Sequence, residues 1–508
     1  MSTFREAQRQ AHPTKTNTLL LGVMCVLILI LVMQVWLLTA ALNESLDGDN
    51  AVKWPAFWAS LALFGAGAAL LRYLPSPLRL PVREAVREAF PQAALAWRTL
   101  GISVVSLTLA FCVWFMWSAI PVRLKDAGFD LTRQQLFWLT ATPVLLGSFL
   151  RIPYGLIVST FGSRRSYTFV TLLLLLPCIA TGLAVKNPAT PYWVLLACAA
   201  LTGIAGANFA TSMGVINLWF PKQAQGTALG INGLGNFGVT LAQFAIPVVI
   251  GFSFLGTTPE ASPTVSSAPA PTVHLASAAY IWVPFILLCA AAIWFGTEDH
   301  ATQAKTLASQ LVAAKRTHTW VLSLLYFLTF GCFVAMGASL PLIIQEVFAS
   351  APGGAPKPFL YAPWAAAIAT LARPLGGWLA DKFGAGLITS ISVGTMAVGG
   401  FSLSGFLQPD QFVGFFAVIL IICAAAGFGN GSVFKIIPHV LPKEAGAAIG
   451  IVSCLGALGG FVPPLLLGWT MDHLGGPAWA YTGMALFALL CLAVNLWFYH
   501  RRNSPTHC

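Results

Sequence analysis

Charge is scarce in this 508-residue chain. Asp, Glu, Lys and Arg make up 8% of it, against 57% hydrophobic residues, and the mean hydropathy is +0.79. A soluble globular domain carries about 25% charged residues. So few charges cannot cover a water-facing surface, which excludes a soluble protein and indicates an all-α polytopic membrane protein. Long polar stretches are missing too, so no soluble domain of useful size remains. Cysteine is present without pattern. Cys25, Cys112, Cys178, Cys198, Cys289, Cys332, Cys423, Cys454 and Cys491 fall in apolar runs, Cys508 is terminal, and no pair has ligand spacing. They read as small buried residues, not disulfides or metal ligands. The eight histidines form no metal pattern. With no nucleophile–base pair and no cofactor loop, neither an enzyme nor a cofactor is expected. No basic cluster sits on a soluble domain, so nucleic acid is not an expected partner.

What the chain has is apolar runs near 20 residues, the length that crosses about 30 Å of hydrocarbon as a helix. There are fourteen, at about 18–42, 54–73, 100–120, 134–158, 166–185, 191–218, 225–251, 277–296, 319–344, 359–380, 386–407, 411–437, 444–470 and 478–499. The first is longer than the 7–15 apolar residues of a signal peptide and reads as a retained helix. Arg5, Arg9 and Lys15 precede it and set the N-terminus in the cytoplasm. Of the 27 basic residues, six then fall in outer loops (Lys53, Arg123, Lys125, Arg133, Lys186, Lys357) and three within spans (Arg151, Arg373, Lys435). The other 18 lie on the cytoplasmic side, as the positive-inside rule requires. An even span count returns the C-terminus to the cytoplasm. The expected location is the inner (plasma) membrane. The net charge of +11 is then mainly a topology signal, part of which can hold anionic lipid at the inner surface.

Five segments are expected. Residues 1–98 hold an N-terminal transmembrane hairpin and a basic cytoplasmic linker. The hairpin's outer loop carries Glu44, Asp47 and Asp49; the linker carries Arg79, Arg83 and Arg87. PVREAVREAF there suits either a surface-lying amphipathic helix or a plain solvated connection. Residues 99–296 form a six-helix half, 297–318 a cytoplasmic linker between halves, 319–499 a second six-helix half, and 500–508 a cytoplasmic tail. The outer stretch 255–277, rich in Ser, Pro and Ala, is low-complexity and not the chemistry.

The halves repeat each other. RIPYGLIVSTFG, opening at Arg151, overlays RPLGGWLADKFG, opening at Arg373, at an offset of 222 residues, and Gly155, Phe161 and Gly162 match Gly377, Phe383 and Gly384. Asn208 and Asn430 share that offset, and FPKQAQGTALG matches LPKEAGAAIG at 221. A cation inside a span costs roughly 2.5–3.5 kcal/mol on insertion scales, so it is rare and usually functional. Two at repeat-related positions suggest one anion site between two halves of a transporter. Lys435, near the cytoplasmic end of its span, suits snorkelling or a packing contact more than a place in the anion path. The glycine-dense runs GTALGINGLGNFG and GIVSCLGALGGF mostly serve close helix approach. Asn232 and Asn236 inside the first stand apart, because a side-chain amide in a span needs a partner and can donate to an anion.

Two resemblances follow. GWLADKFG, with Gly377, Asp381 and Gly384, resembles the loop motif of the major facilitator superfamily. The first copy has Ser159 where the acid would stand but keeps Arg164 and Arg165. The likeness implies a structural and gating role for Gly155, Gly162, Arg164, Arg165, Gly377, Asp381 and Gly384. More specifically, GANFATSMGVINLWFPKQAQGTALGINGLGNFG, GFGNGSVFKIIP, GIVSCLGALGGF, FMWSAIPVRL and LLYFLTFGCF resemble the nitrate/nitrite porter family. The likeness covers about 98–499 and leaves the hairpin outside. It implies the major facilitator fold, a 12-helix core in two pseudo-symmetric halves, here with two extra N-terminal helices. It also implies that Arg151 and Arg373 bind nitrate or nitrite, that Tyr326 and Asn232 or Asn236 assist, and that Phe209, Phe330 and Phe115 wall the site.

The chemistry suits that ligand. Nitrate is planar with three equivalent acceptor oxygens, and guanidinium is planar with a fork of donors and stays charged. Coupling is left open. No Asp or Glu lies mid-span, with Asp381, Glu346 and Asp472 at helix ends, which favours nitrate/nitrite exchange. Importing a lone nitrate against about 100 mV costs about 2.3 kcal/mol, while GINGLGN and VFKIIP are similar to the proton-linked branch, with the proton as coupling ion. A functional monomer is expected. A carrier of another small or organic anion and a non-transporting membrane sensor are the competing readings.

Overall fold

A helix that is apolar all round buries itself in lipid or among other helices, and every backbone polar group is satisfied within it. That is how this chain folds. The computed structural model describes residues 93–220, 228–251, 274–299, 312–352, 354–442 and 444–501, with helix 53–71 and five residues of the first apolar run (Val26, Ile30, Met33, Gln34, Leu37). The rest of that run, the acidic loop, residues 72–92 of the basic linker, the Ser/Pro/Ala-rich loop, residues 300–311 of the second linker, Cys25, Cys508 and the tail beyond Arg501 lie outside the described residues.

The helices are α1 (Lys53–Leu71), α2 (Ala93–Trp114), α3 (Arg133–Phe161), α4 (Ser163–Ala184), α5 (Tyr192–Trp219), α6 (Gly238–Val249), α7 (Ser277–Gly296) and α8 (Thr317–Val347). They continue with α9 (Pro358–Phe383), α10 (Ala385–Leu403), α11 (Phe412–Val440), α12 (Ala445–Leu458), α13 (Val462–His473) and α14 (Ala478–Asn495). No strand occurs among the described residues. Ten helices among them are long and apolar enough to cross a membrane. The Arg373 helix α9 and the interrupted helix around α6 are not in that ten.

The chain falls into two units, divided between Trp97 and Arg98. In the first, Gln34 Nε2 donates to the carbonyl of Ser60 at 3.3 Å. The second holds α3 to α14 and nearly all of α2. Within it α3 packs on α5 and α9 packs on α11, and the two halves meet where α3 lies against α12 and α13 and where α6 lies against α9.

Sequence dictates how the arginine helices begin and end. Thr132 caps α3, accepting from the Gln135 N–H at 3.3 Å while Gln135 Oε1 accepts from the Thr132 N–H at 2.9 Å, a reciprocal capping box. At their far ends α3 and α9 stop at Gly162 and Gly384, with φ of +89° and +95°. Only glycine takes that left-handed region freely, so the repeat seen in sequence becomes the same sharp turn in both halves.

Candidate functional site

The two arginine helices bring their guanidinium groups to one cluster of rings. Arg151 is 2% exposed. Its Cζ lies 4.9 Å from the ring centre of Phe209 (α5), 5.2 Å from Phe330 (α8) and 5.5 Å from Trp114 (α2). Arg373 lies 5.9 Å from both Phe209 and Phe330 and 5.3 Å from Phe434 (α11). Phe209 and Phe330 come from opposite halves, stand 6.4 Å apart, and touch both cations. A cation over an aromatic face gains about 0.5–2 kcal/mol, more when dry. Tyr326 extends the wall, stacked on Phe330 at 5.0 Å with parallel planes and 4.7 Å from Phe434.

The hydrogen bonds leave donors over. Arg151 Nη1 donates to the carbonyl of Ser453 (α12) at 2.9 Å, across the two halves. Arg151 Nε and Nη2, Arg373 Nη1 and the Tyr326 hydroxyl are buried and have no partner. No carboxylate pairs with either arginine among the described residues. Unpaired buried charges and donors are costly, and rings alone do not supply the missing acceptors. What the arrangement can do is bind a small flat anion.

The asparagines sit where the fifth core helix is broken. Gly233–Phe237 form a 3-10 turn ahead of α6, with Asn232 at its start and Asn236 inside it. Irregular backbone at membrane depth is tolerated where it is buried in protein or lines a cavity. The turn packs against the Arg373 helix. Asn232 Nδ2 donates to Ser212 Oγ at 2.6 Å and approaches the Met213 sulfur at 3.6 Å. Oδ1 of Asn232 and of Asn236 has no partner.

Phe115 stands one residue off the cluster. Its ring packs on Trp114 at 4.9 Å and Phe111 at 6.2 Å, and Trp114 is the ring that meets Arg151. Trp114 is fixed by a bond from Nε1 to the carbonyl of Pro143 at 3.0 Å. A side chain at Gly206 would run into its indole, and a Cβ at Gly147 would lie 3.2 Å from Nε1. Trp114, Phe434 and Ser453 were missed by sequence reasoning. The glycines that make room for Trp114 were the available signal.

The loop residues divide between the halves. Asp299, at the start of the inter-half linker, accepts from the backbone N–H of Arg164 at 2.8 Å and of Arg165 at 3.4 Å, and their Nε atoms lie 3.8 and 3.6 Å from it. Asp381 pairs with Lys435 at 2.7 Å, so the third cation in a span makes a packing contact between α9 and α11. Gly377 faces Gly431 with room to spare, whereas the neighbouring Gly376 is pressed on the Phe428 backbone. Gly155 has open space around it.

At the end of the bundle where α3 starts and α8 stops, charges cross between halves. Arg133 binds Glu346 at 2.9 Å and Asp472 at 3.1 Å, and Lys125 reaches Glu346 at 3.5 Å. Deeper on that side, Gln243 Nε2 donates to the carbonyl of Gly337 at 2.7 Å, and Trp138 meets Phe461 at 6.0 Å. At the opposite end no described ion pair joins the halves directly: Asp381–Lys435 stays within the second half, Arg316–Glu444 ties the inter-half linker to the second half, and Asp299 ties it to Arg164 and Arg165 of the first.

Known proteins share this architecture. A family model described as Major Facilitator Superfamily matches residues 102–462 and again 367–507. Another, a family of unknown function (DUF6755), matches residues 7–79. The chain is 38% identical over 442 residues to the nitrate/nitrite transporter NarU of Escherichia coli (strain K12), covering 80% of this chain and 93% of that one. It is 38% identical over 422 residues to the probable nitrate/nitrite antiporter NarK2 of Thermus thermophilus, covering 82% and 95%. The nitrite extrusion protein of Bacillus subtilis (strain 168) is 32% identical over 411 residues, covering 80% and 96%. Among solved structures, a bacterial homologue of the human lysosomal transporter Spinster, in an inward-facing and unoccupied conformation, aligns with a TM-score of 0.59 at 15% identity, over 80% of this chain and 96% of that one. That likeness speaks to fold alone. The two-half helical fold defines a multi-pass membrane protein of the carrier type. The chain belongs to the major facilitator superfamily and, within it, to the nitrate/nitrite porter family.

Proposed function

We propose that this chain carries nitrate and nitrite across the inner membrane by alternating access, with the anion held between Arg151 and Arg373. The observation that carries this reading is the set of buried donors without partners, Arg151 Nε and Nη2, Arg373 Nη1 and the Tyr326 hydroxyl, around rings shared by both cations. A trigonal or bent oxyanion supplies acceptors to all of them and offsets the charge. Phe209 and Phe330 wall the site, Trp114 takes the part expected of Phe115, and Asn232 and Asn236 serve it from the broken helix. Nitrate relatives named as transporters support the substrate class.

The fourteen-span topology with both termini cytoplasmic and the five-segment division remain our reading of the chain. In that topology the cross-braced end, with Arg133, Glu346 and Asp472, is the outer one. The bracing supports a state closed to the outside. Gly155, Gly162, Arg164, Arg165, Gly377, Asp381 and Gly384 belong to the turns that hold each half together as the halves rock. The chain works as a monomer, and the basic linker meets anionic lipid.

Exchange is the favoured mode. The described carboxylates lie at helix ends, and swapping one anion for another moves no net charge and leaves the arginines compensated at each crossing. Proteoliposomes test this. Uptake of labelled nitrate driven by internal nitrite, indifferent to a pH gradient, is expected; dependence on the pH gradient would replace exchange with proton symport. No transport of either anion under any gradient overturns the function.

A further inference from the structure

A second polar system lies in the first half, apart from the arginine pair. Ser103 (α2), Tyr167 (α4), Ser212 (α5) and Asn232 come from four helical segments and are all buried. Asn232 Nδ2 donates to Ser212 Oγ at 2.6 Å. Ser212 Oγ lies 3.0 Å from Ser103 Oγ, which lies 3.2 Å from the Tyr167 hydroxyl. Tyr167 in turn donates to the Ser103 carbonyl at 3.1 Å. Because that last proton is committed, the chain has one direction: Asn232 to Ser212, Ser212 to Ser103, Ser103 to Tyr167, Tyr167 to the carbonyl. Each hydroxyl gives one proton and accepts one.

This direction has a consequence for Asn232. Its N–H groups are spent on Ser212 and the Met213 sulfur, and its bare Oδ1 has no partner. Met213 stands one helical turn from Phe209, whose ring lies 4.9 Å from Arg151. Asn232 opens the turn that packs against the Arg373 helix, yet its donors are held back, although an anion requires donors. Turning the amide over reverses every bond. Ser212 then donates to Oδ1, Ser103 to Ser212, and Tyr167 to Ser103 Oγ. The Tyr167 bond to the carbonyl and the weak Asn232 contact with the Met213 sulfur are given up, and both N–H groups of Asn232 are freed. An amide's two ends are close to isosteric, so the turn needs no repacking.

We propose that Ser212, Ser103 and Tyr167 are positioning residues for anion binding: they form a reversible hydroxyl chain that turns the donors of Asn232 away when it runs in the described direction and turns them toward a bound oxyanion when it runs in reverse. This rests on the anion-carrier reading above. Removing the Tyr167 hydroxyl takes two bonds from the described direction and one from the reversed direction, so it favours the reversed one, in which the Asn232 donors are free.

The test is a double-mutant cycle on nitrate affinity, measured by titration calorimetry on the full-length chain in detergent. Tyr167→Phe is expected to lower the nitrate Kd about two- to tenfold, the worth of one net hydrogen bond. In a Ser212→Ala background, where the chain is cut, Tyr167→Phe is expected to leave Kd within about twofold. A structural role for Tyr167 alone would lower Tm in both backgrounds and spare that ratio. An unchanged or raised Kd in Tyr167→Phe, or the same gain in both backgrounds, overturns the proposal. Should Ser212→Ala not fold, Ser103→Ala cuts the chain at the next link and takes its place with the same expectation. Absence of nitrate binding by the wild type overturns the carrier reading and this one with it; nitrate binding with a flat cycle overturns this one alone.

Discussion

Arg151 and Arg373 occupy matching places in the two halves and live in different surroundings. Arg151 is sealed, with Trp114 wedged behind it and a hydrogen bond reaching across to Ser453. Arg373 is partly open and leans on Phe434 of its own half, with glycines of α11 pressed on its helix. Repeat symmetry matched the two cations, and asymmetric packing set them apart; in the proposed function Arg151 ties the halves together and Arg373 receives the anion. The two turns that end their helices diverge in the same way. One is held by Asp299 from the inter-half linker, the other by the Asp381–Lys435 pair.

Substitutions can break or sharpen that contrast. The largest effect is expected at Arg151. Arg151→Lys keeps the charge but loses the fork, and nitrate uptake in proteoliposomes should fall about 100-fold or more, in the range for breaking a buried charge pair. Arg373→Lys should fall about tenfold, because its partial exposure allows water to compensate. Equal losses would mean that burial does not separate the two roles. Next comes Trp114→Phe, which keeps a ring but loses the Pro143 bond that fixes it; a roughly three- to tenfold weaker apparent nitrate affinity is expected, the size of one net hydrogen bond. Phe115→Leu should leave affinity within about twofold.

The two ends of the bundle give a subtler contrast. Glu346, 12% exposed, joins two cations of the opposite half. Glu346→Gln should speed hydrogen exchange at the start of α3 and the end of α8 by about three- to tenfold, since local opening tracks the few contacts that hold a segment closed. Lys435→Ala should leave that region unchanged. The smallest effect belongs to Arg165, 72% exposed on its side chain. Arg165→Ala should cost no more than about 0.5 kcal/mol in thermal stability, while Asp299→Ala, which unties both arginines and two backbone N–H groups, should cost visibly more.

Much of this was legible in the chain. Two intramembrane arginines, a 222-residue repeat and paired glycine turns are local patterns, and each has a direct physical meaning. The rest depends on contacts between distant residues. Phe115 was expected at the site because the motif names a stretch, but one residue on a helix is about 100° of rotation, and the rotation brings Trp114 to Arg151. Ser159 left the first loop without its acid, and nothing near it in sequence announces that Asp299 fills the need. Asp381 and Lys435 each read as a helix-end charge until α9 and α11 are packed together. The Arg151–Ser453 bond is invisible for the same reason, since its acceptor is a backbone carbonyl that any residue could offer.

The indole of Trp114 has one more consequence. It is held by the Pro143 bond 5.5 Å from a guanidinium that pairs with no carboxylate among the described residues, so its excited state sits in a strong and well-oriented electric field. An anion bound at Arg151, as proposed above, would cancel most of that field. The emission colour of this single tryptophan should therefore shift on ligand binding, and the difference spectrum between the wild type and Trp114→Phe would isolate it from the other sixteen tryptophans of the chain. With the anion at Arg151, the carrier would contain its own optical gauge of whether the site is filled.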